Sequence, residues 1–165
     1  MNGDGHFAAK LRKAGDARSD APAFKNDKDT MKLVSELEKL IGELAQMLKA
    51  RCIRLGDYVY SLQAECPDTK GLKLASSGLC LLRIGKNYVE PAHALAMCME
   101  PGDVPTAELT QDQAVRYLAG EAIELECKKG WNLVCHQNLP LGWAKASNGL
   151  LKNHLPKGLC LSLHL

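Results

Sequence analysis

The spacing of apolar residues changes partway along this chain. Between residues 31 and 50, Leu33, Leu37, Leu40, Ile41, Leu44 and Leu48 recur at three- and four-residue intervals, while Lys32, Glu36, Lys39 and Glu43 take the opposite side. That period predicts an amphipathic helix whose apolar stripe must be covered, most simply by the sheet that follows. The pattern lasts fewer than three heptads, too short for a good coiled coil. From residue 52 the period becomes two: Tyr58, Tyr60 and Leu62 alternate with Val59 and Ser61, and Gly56-Asp57 supplies a turn before them, as in a hairpin. Leu79 to Ile84 is apolar enough for a buried strand, closed by the turn residues Gly85-Lys86-Asn87. Residues 91 to 99 predict a short helix with proline in its first turn, stopped by Pro101-Gly102. Thr110-Gln111-Asp112-Gln113 has the form of a capping box and starts a second helix. In that helix Ala114, Leu118 and Tyr117 face inward, and Gly120 marks the stop.

The last third reads as closely spaced strands. Ile123, Leu125 and Cys127 alternate, then Trp131, Leu133 and Cys135, then Leu139, Leu141 and Trp143. Lys129-Gly130, Gln137-Asn138 and Asn148-Gly149 are the turns between them. Short strands at this spacing curl into a small barrel, so the fold class expected is α+β: a small mixed β-barrel with inserted helices, preceded by an amphipathic helix and short strands. Residues 1 to 30 differ in kind. Their glycines, Pro22 and charged residues have linker composition, and the one apolar patch, His6 to Leu11, is a strand candidate without a local partner.

Charge changes this picture by its distribution. The net charge is only +2, but residues 84 to 127 carry eight acids against Lys86 and Arg116, whereas residues 128 to 165 hold five lysines and no acid. A basic, glycine-punctuated segment containing both tryptophans suits a polyanion; as simple solvated surface it would look the same. The seven cysteines sit mostly among apolar neighbours and show no C-x2-C spacing, which reads as small buried hydrophobes in a reducing cytosol, hence a cytoplasmic protein without a zinc knuckle. No signal-length apolar run opens the chain, and no stretch is long and apolar enough for a membrane helix. Nucleophile elbow, P-loop and dinucleotide fingerprints are all missing.

Within the basic tail, Lys145, Lys152 and Lys157 are candidates to neutralise phosphates. Asn153 and His154 can donate and accept hydrogen bonds as base edges and ribose hydroxyls require. Gly142 would let backbone approach a ligand closely. Trp131 and Trp143 could stack bases, but each alternates with apolar neighbours, and the reading preferred is that both are core. His93, between Ala92 and Ala94, reads as a histidine hydrogen-bonded within or at the edge of the core, the alternative being a polar contact to a ligand at a helix N-terminus.

Five ordered segments carry a resemblance. They are Glu90 to Met97, Tyr117 to Glu121, Gly130 to Val134, Pro140 to Lys145 and Leu151 to Leu159. Together they resemble the C-terminal region of RsmF-like bacterial RNA cytosine-C5 methyltransferases of the Sun/nucleolar-protein family, which carries a PUA-like RNA-binding barrel. Gly3 to Lys13 is similar to the last strand of that family's catalytic domain. The resemblance implies three parts: residues 1–29, a remnant of the catalytic domain plus a flexible linker; residues 30–75, a small helix-plus-strand domain; and residues 76–165, the PUA-like domain. The family's catalytic cysteines stand in Pro-Cys and Thr-Cys motifs. Here Cys66-Pro67 has the reverse order, Thr-Cys does not occur, and the glycine loop for S-adenosylmethionine is missing. No cysteine of this chain inherits a catalytic role. Leu155 stands where the family motif usually has an aromatic residue, which takes a stacking role from that position.

The function expected is that of an RNA-binding accessory region. It would position rRNA, or alternatively tRNA, for a catalytic domain that uses S-adenosylmethionine and lies outside this chain. Gly142, Lys145, Lys152, Asn153, His154 and Lys157 would form its RNA site. The alternative is a docking module that contacts the catalytic domain and does not touch RNA.

Overall fold

The computed structural model describes residues 52–62, 77–86 and 88–161, together with the separate positions 28, 32, 34, 35, 39, 40 and 42. The expected strand at His6 to Leu11 lies outside the described residues. So does most of the helix expected over 31 to 50, although Lys32, Val34, Ser35, Lys39 and Leu40 are helical.

The Gly56-Asp57 turn joins β1 (Cys52–Leu55) to β2 (Tyr58–Ser61) as a hairpin, with Gly56 at a φ of 58° that glycine adopts without strain. β2 pairs antiparallel with β3 (Leu79–Ile84), and β3 with β4 (Val89–Pro91), giving a four-stranded sheet in sequence order. This sheet runs across residue 75, where the sequence suggested a domain division. Pro91 ends β4 instead of opening a helix, and the helix that follows, α1 (His93–Ala96), is shorter than the sequence predicted.

The second sheet has five strands: β5 (Thr106–Glu108), β6 (Ile123–Glu124), β7 (Gly130–His136), β8 (Leu139–Ser147) and β9 (Leu150–Asn153), in the order β5-β7-β8-β9-β6. β5 runs parallel to β7 and the other pairs are antiparallel, so the sheet is mixed as expected. It is a curled half-barrel consistent with a PUA-like fold, not a closed barrel, because β5 and β6 do not pair with each other. The strand expected from Ile123 to Cys127 survives only at Ile123–Glu124. The described residues are mostly β with few helices, consistent with the PUA-like part of the expected fold; the helical parts are α1, α2 (Gln111–Leu118), a 3-10 turn at Lys157–Leu159 and the helical positions before residue 52. The capping box of α2 forms as the sequence required. The Thr110 hydroxyl accepts from the Gln113 backbone N–H, and the Gln113 side chain accepts from the Thr110 backbone N–H.

Two apolar clusters hold these layers. One joins Val34, Val59, Leu81 and Leu82 of the N-terminal half to Leu95 on α1 and to Leu133, Cys135 and Trp143 of the second sheet. The other fills the opposite side of that sheet, where Val134, Ala144, Ala146 and Leu151 pack with Ala114 and Tyr117 of α2. The five-stranded sheet is thus covered on both sides, with α1 and the first sheet on one and α2 on the other.

Candidate nucleic-acid interface

Register decides which polar side chains meet. β7 and β8 are joined by the Gln137-Asn138 turn, in which both residues take positive φ. The ladder slips once: Cys135 faces Pro140 but Val134 faces Gly142, so Leu141 is an extra, unpaired residue. Beyond this β-bulge Leu133 faces Trp143, and Trp131 faces Lys145. The Asn148-Gly149 turn then sets β8 against β9 so that Lys145 faces Lys152. Trp131, Lys145 and Lys152 therefore form one row across three strands, on the side of the sheet that faces α1.

The row lies where apolar cover runs out. Trp143, farther along the same face, is buried and its Nε1 donates to the Ala92 carbonyl at 3.0 Å. Trp131 is only half-buried, which corrects the expectation that both tryptophans are core. Lys145 Nζ sits 5.6 Å from the Trp131 ring centre, a cation–π contact. Lys145 and Lys152 are exposed, and neither forms an ion pair among the described residues. Like charges directly opposite on neighbouring strands are destabilising, and an anion bound between the two would relieve the repulsion.

The other expected contacts divide sharply. His154 is half-buried, its ring edge against Trp131 at a centroid distance of 4.5 Å, and its Nδ1 is 3.2 Å from Glu90 Oε1. Burial lowers its pKa; Glu90 opposes the shift, while Lys152 and Lys145 add to it. His154 thus braces Trp131 more than it offers itself to a ligand. Asn153 is engaged inside the fold: its Nδ2 donates to the carbonyls of Tyr117 and Glu121 at 2.7 and 2.9 Å, and its Oδ1 accepts from Leu155 N–H. It caps the C-terminal end of α2, with both amide hydrogens used inside the fold.

Gly142 is buried. A Cβ there would lie 2.7 Å from the Tyr117 hydroxyl and 3.3 Å from His93 Nδ1, so the glycine makes room for Tyr117, whose hydroxyl donates to the Trp143 carbonyl at 3.0 Å. Burial raises the Tyr117 pKa. Lys157 is exposed in the 3-10 turn and belongs to no ion pair among the described residues. Leu155 is buried in the α2-side cluster. His93 is half-buried with its pKa lowered by burial, and its Nδ1 has no hydrogen-bond partner in the fold. Of the cysteines read as buried, Cys135 is buried, and burial followed by Glu108 pushes its thiol up to about 11, whereas Cys80 and Cys160 are only half-buried. Cys98 is exposed, against the expectation of buried cysteines.

Residues 104–161 match the family model of the methyltransferase RsmF PUA domain. Residues 39–99 match that of the RsmF rRNA methyltransferase first C-terminal domain. Together the two matches make the chain a C-terminal region of an RsmF-like RNA methyltransferase. The RsmF PUA match contains the whole Trp131–Lys145–Lys152 row, while Glu90, which holds His154, comes from the other matched domain. The interface candidate is therefore assembled from both. Trp131 and Glu90 were missed by sequence reasoning as site residues. For Trp131 a signal existed: it follows the Lys129-Gly130 turn, at the end of a strand where cover is thinnest.

Proposed function

We propose that this region binds the RNA substrate, rRNA in preference to tRNA, and holds it for a catalytic domain that methylates C5 of a cytosine. The observation that carries the reading is the cross-strand pair Lys145–Lys152 beside Trp131, two unneutralised cations next to a half-exposed aromatic ring. Lys157 extends the basic charge. The rRNA preference follows the description of the matched family domain. The contribution to catalysis is alignment: tethering RNA near the catalytic centre turns a bimolecular encounter into an oriented one. S-adenosylmethionine belongs with the catalytic domain in this reading. The family's glycine loop for it does not occur in this sequence. The site of action is the cytoplasm.

The test is RNA binding by the doubly substituted Lys145→Ala/Lys152→Ala chain, measured against an rRNA fragment across a range of salt. Each phosphate contact adds roughly 0.7–0.9 to the slope of log affinity against log salt. The double variant should bind more weakly, with a slope flatter by about 1.5. Its stability should stay close to the parent's, since the relief of like-charge repulsion offsets the lost Lys145–Trp131 cation–π contact. Unchanged affinity and slope would favour a docking module that does not touch RNA.

A further inference from the structure

A second feature lies on the other side of Trp131. A groove of about 750 Å³ opens between the two sheets, and none of its described lining residues is an acid. Lys86, Lys128 and Lys129 stand along it; all three are exposed, and none forms an ion pair among the described residues. Its aromatic walls are Tyr88 and Trp131. Tyr88 is 53% exposed, a large aromatic left open to solvent in a place that gives it a fixed support. Its ring lies directly on Gly85, where an added Cβ would fall 2.3 Å from the ring, and the Gly85 N–H donates to the Tyr88 carbonyl at 2.8 Å. The lysine loop is held as well. Asn132 is buried, and its Nδ2 donates to the carbonyls of Lys128 and Gly130 at 2.7 and 2.9 Å. Aromatic faces fixed in place, together with cations on a tethered loop, are what an unpaired nucleotide needs: a platform for the base and charges for the flanking phosphates.

We propose that this groove takes an unpaired nucleotide flanking a structured RNA element, its base stacked on Tyr88 and its phosphates on Lys86, Lys128 and Lys129. The proposal rests on the RNA-binding reading above and assigns the single-stranded part of the substrate to a separate surface. Trp131 lies between the groove and the Lys145–Lys152 row, so one RNA can engage both.

The full chain is titrated with a hairpin RNA that ends blunt and with the same hairpin bearing a short unpaired flank that contains a fluorescent purine analogue. The flank should raise affinity about tenfold, and stacking should quench the analogue. Tyr88→Ala should abolish both effects and Tyr88→Phe should keep both. Lys128→Ala/Lys129→Ala should shrink the gain from the flank and its salt dependence. None of these variants should change affinity for the blunt hairpin, which also reports that each one folds. If the gain and the quenching survive Tyr88→Ala, or the flank adds nothing while the blunt hairpin binds, the groove assignment is wrong and the Lys145–Lys152 surface stands. If the parent chain binds neither RNA, both proposals fall.

Discussion

The two faces of the five-stranded sheet are built from the same strands and end differently. The face under α2 is closed along its length: Val134, Ala144, Ala146 and Leu151 meet Ala114 and Tyr117, and the polar Asn132 and Asn153 on that side donate their amide hydrogens to backbone carbonyls. The opposite face starts the same way, with Leu133 and Trp143 sealed against Leu95. It then passes beyond its cover, and the row Trp131–Lys145–Lys152 is left half-buried and exposed. What separates a core face from a binding face here is where the neighbouring layer stops. The same alternation that sends Trp143 inward keeps Lys145, two residues on, on the same side but past the edge.

The comparison is broken most strongly at Trp143. Replacing it with alanine should cost about 3–5 kcal/mol, because it empties the buried end of the open face. Trp131→Ala, on the same face, should cost far less stability and yet weaken RNA binding; chemical denaturation and RNA titration of the two variants separate the roles. Asn153→Ala comes next. It removes two side-chain hydrogen bonds from the carbonyls at the end of α2 and should cost about 0.5–1.5 kcal/mol. If the α2 side is purely structural, RNA affinity per folded molecule stays at the parent value. A specific loss of affinity would return Asn153 to the RNA site.

The smallest effect sharpens the comparison through pH. His93 and His154 both have lowered pKa values, burial being the first cause in each. In the unfolded chain both bind protons near the ordinary value of 6.5, and in the folded chain only at lower pH. Their share of stability is therefore complete above that pH and is lost as pH falls through the folded pKa values. Thermal melts below neutrality should show the decline. Salt should distinguish the two rings in an NMR titration. His154 responds to Glu90, Lys152 and Lys145 at the open edge and should move, whereas burial alone acts on His93, which should hold still.

Much of the architecture was legible because local rules agree with it. The Gly56-Asp57 hairpin, the strand at Leu79 to Ile84 and the capping box at Thr110 depend on neighbours within a few residues, and all form as read. The long strand from Ile123 failed because alternation cannot show that no partner strand lies beyond Glu124. The site was half legible. Lysines announce themselves by charge, but Gly142 and Asn153 were taken for surface residues when their partners, the Tyr117 hydroxyl and the Tyr117 carbonyl, lie on a helix more than twenty positions away.

By itself the sequence determined the pairing of Lys145 with Lys152. A two-residue Asn148-Gly149 turn fixes the register of the strands on either side, and period two then puts both lysines on one face. It did not determine that Trp131 would join them. Counted back from Gln137-Asn138 without interruption, Trp131 would stand opposite Ala144, on the other side of the sheet. The bulge at Leu141 shifts the ladder by one residue and turns Trp131 toward Lys145. Nothing local to those strands compels a bulge. The Tyr117 hydroxyl fits only against a glycine at the bulge, and Trp143 must reach the Ala92 carbonyl; both are tertiary contacts, formed by the helices packed on either face.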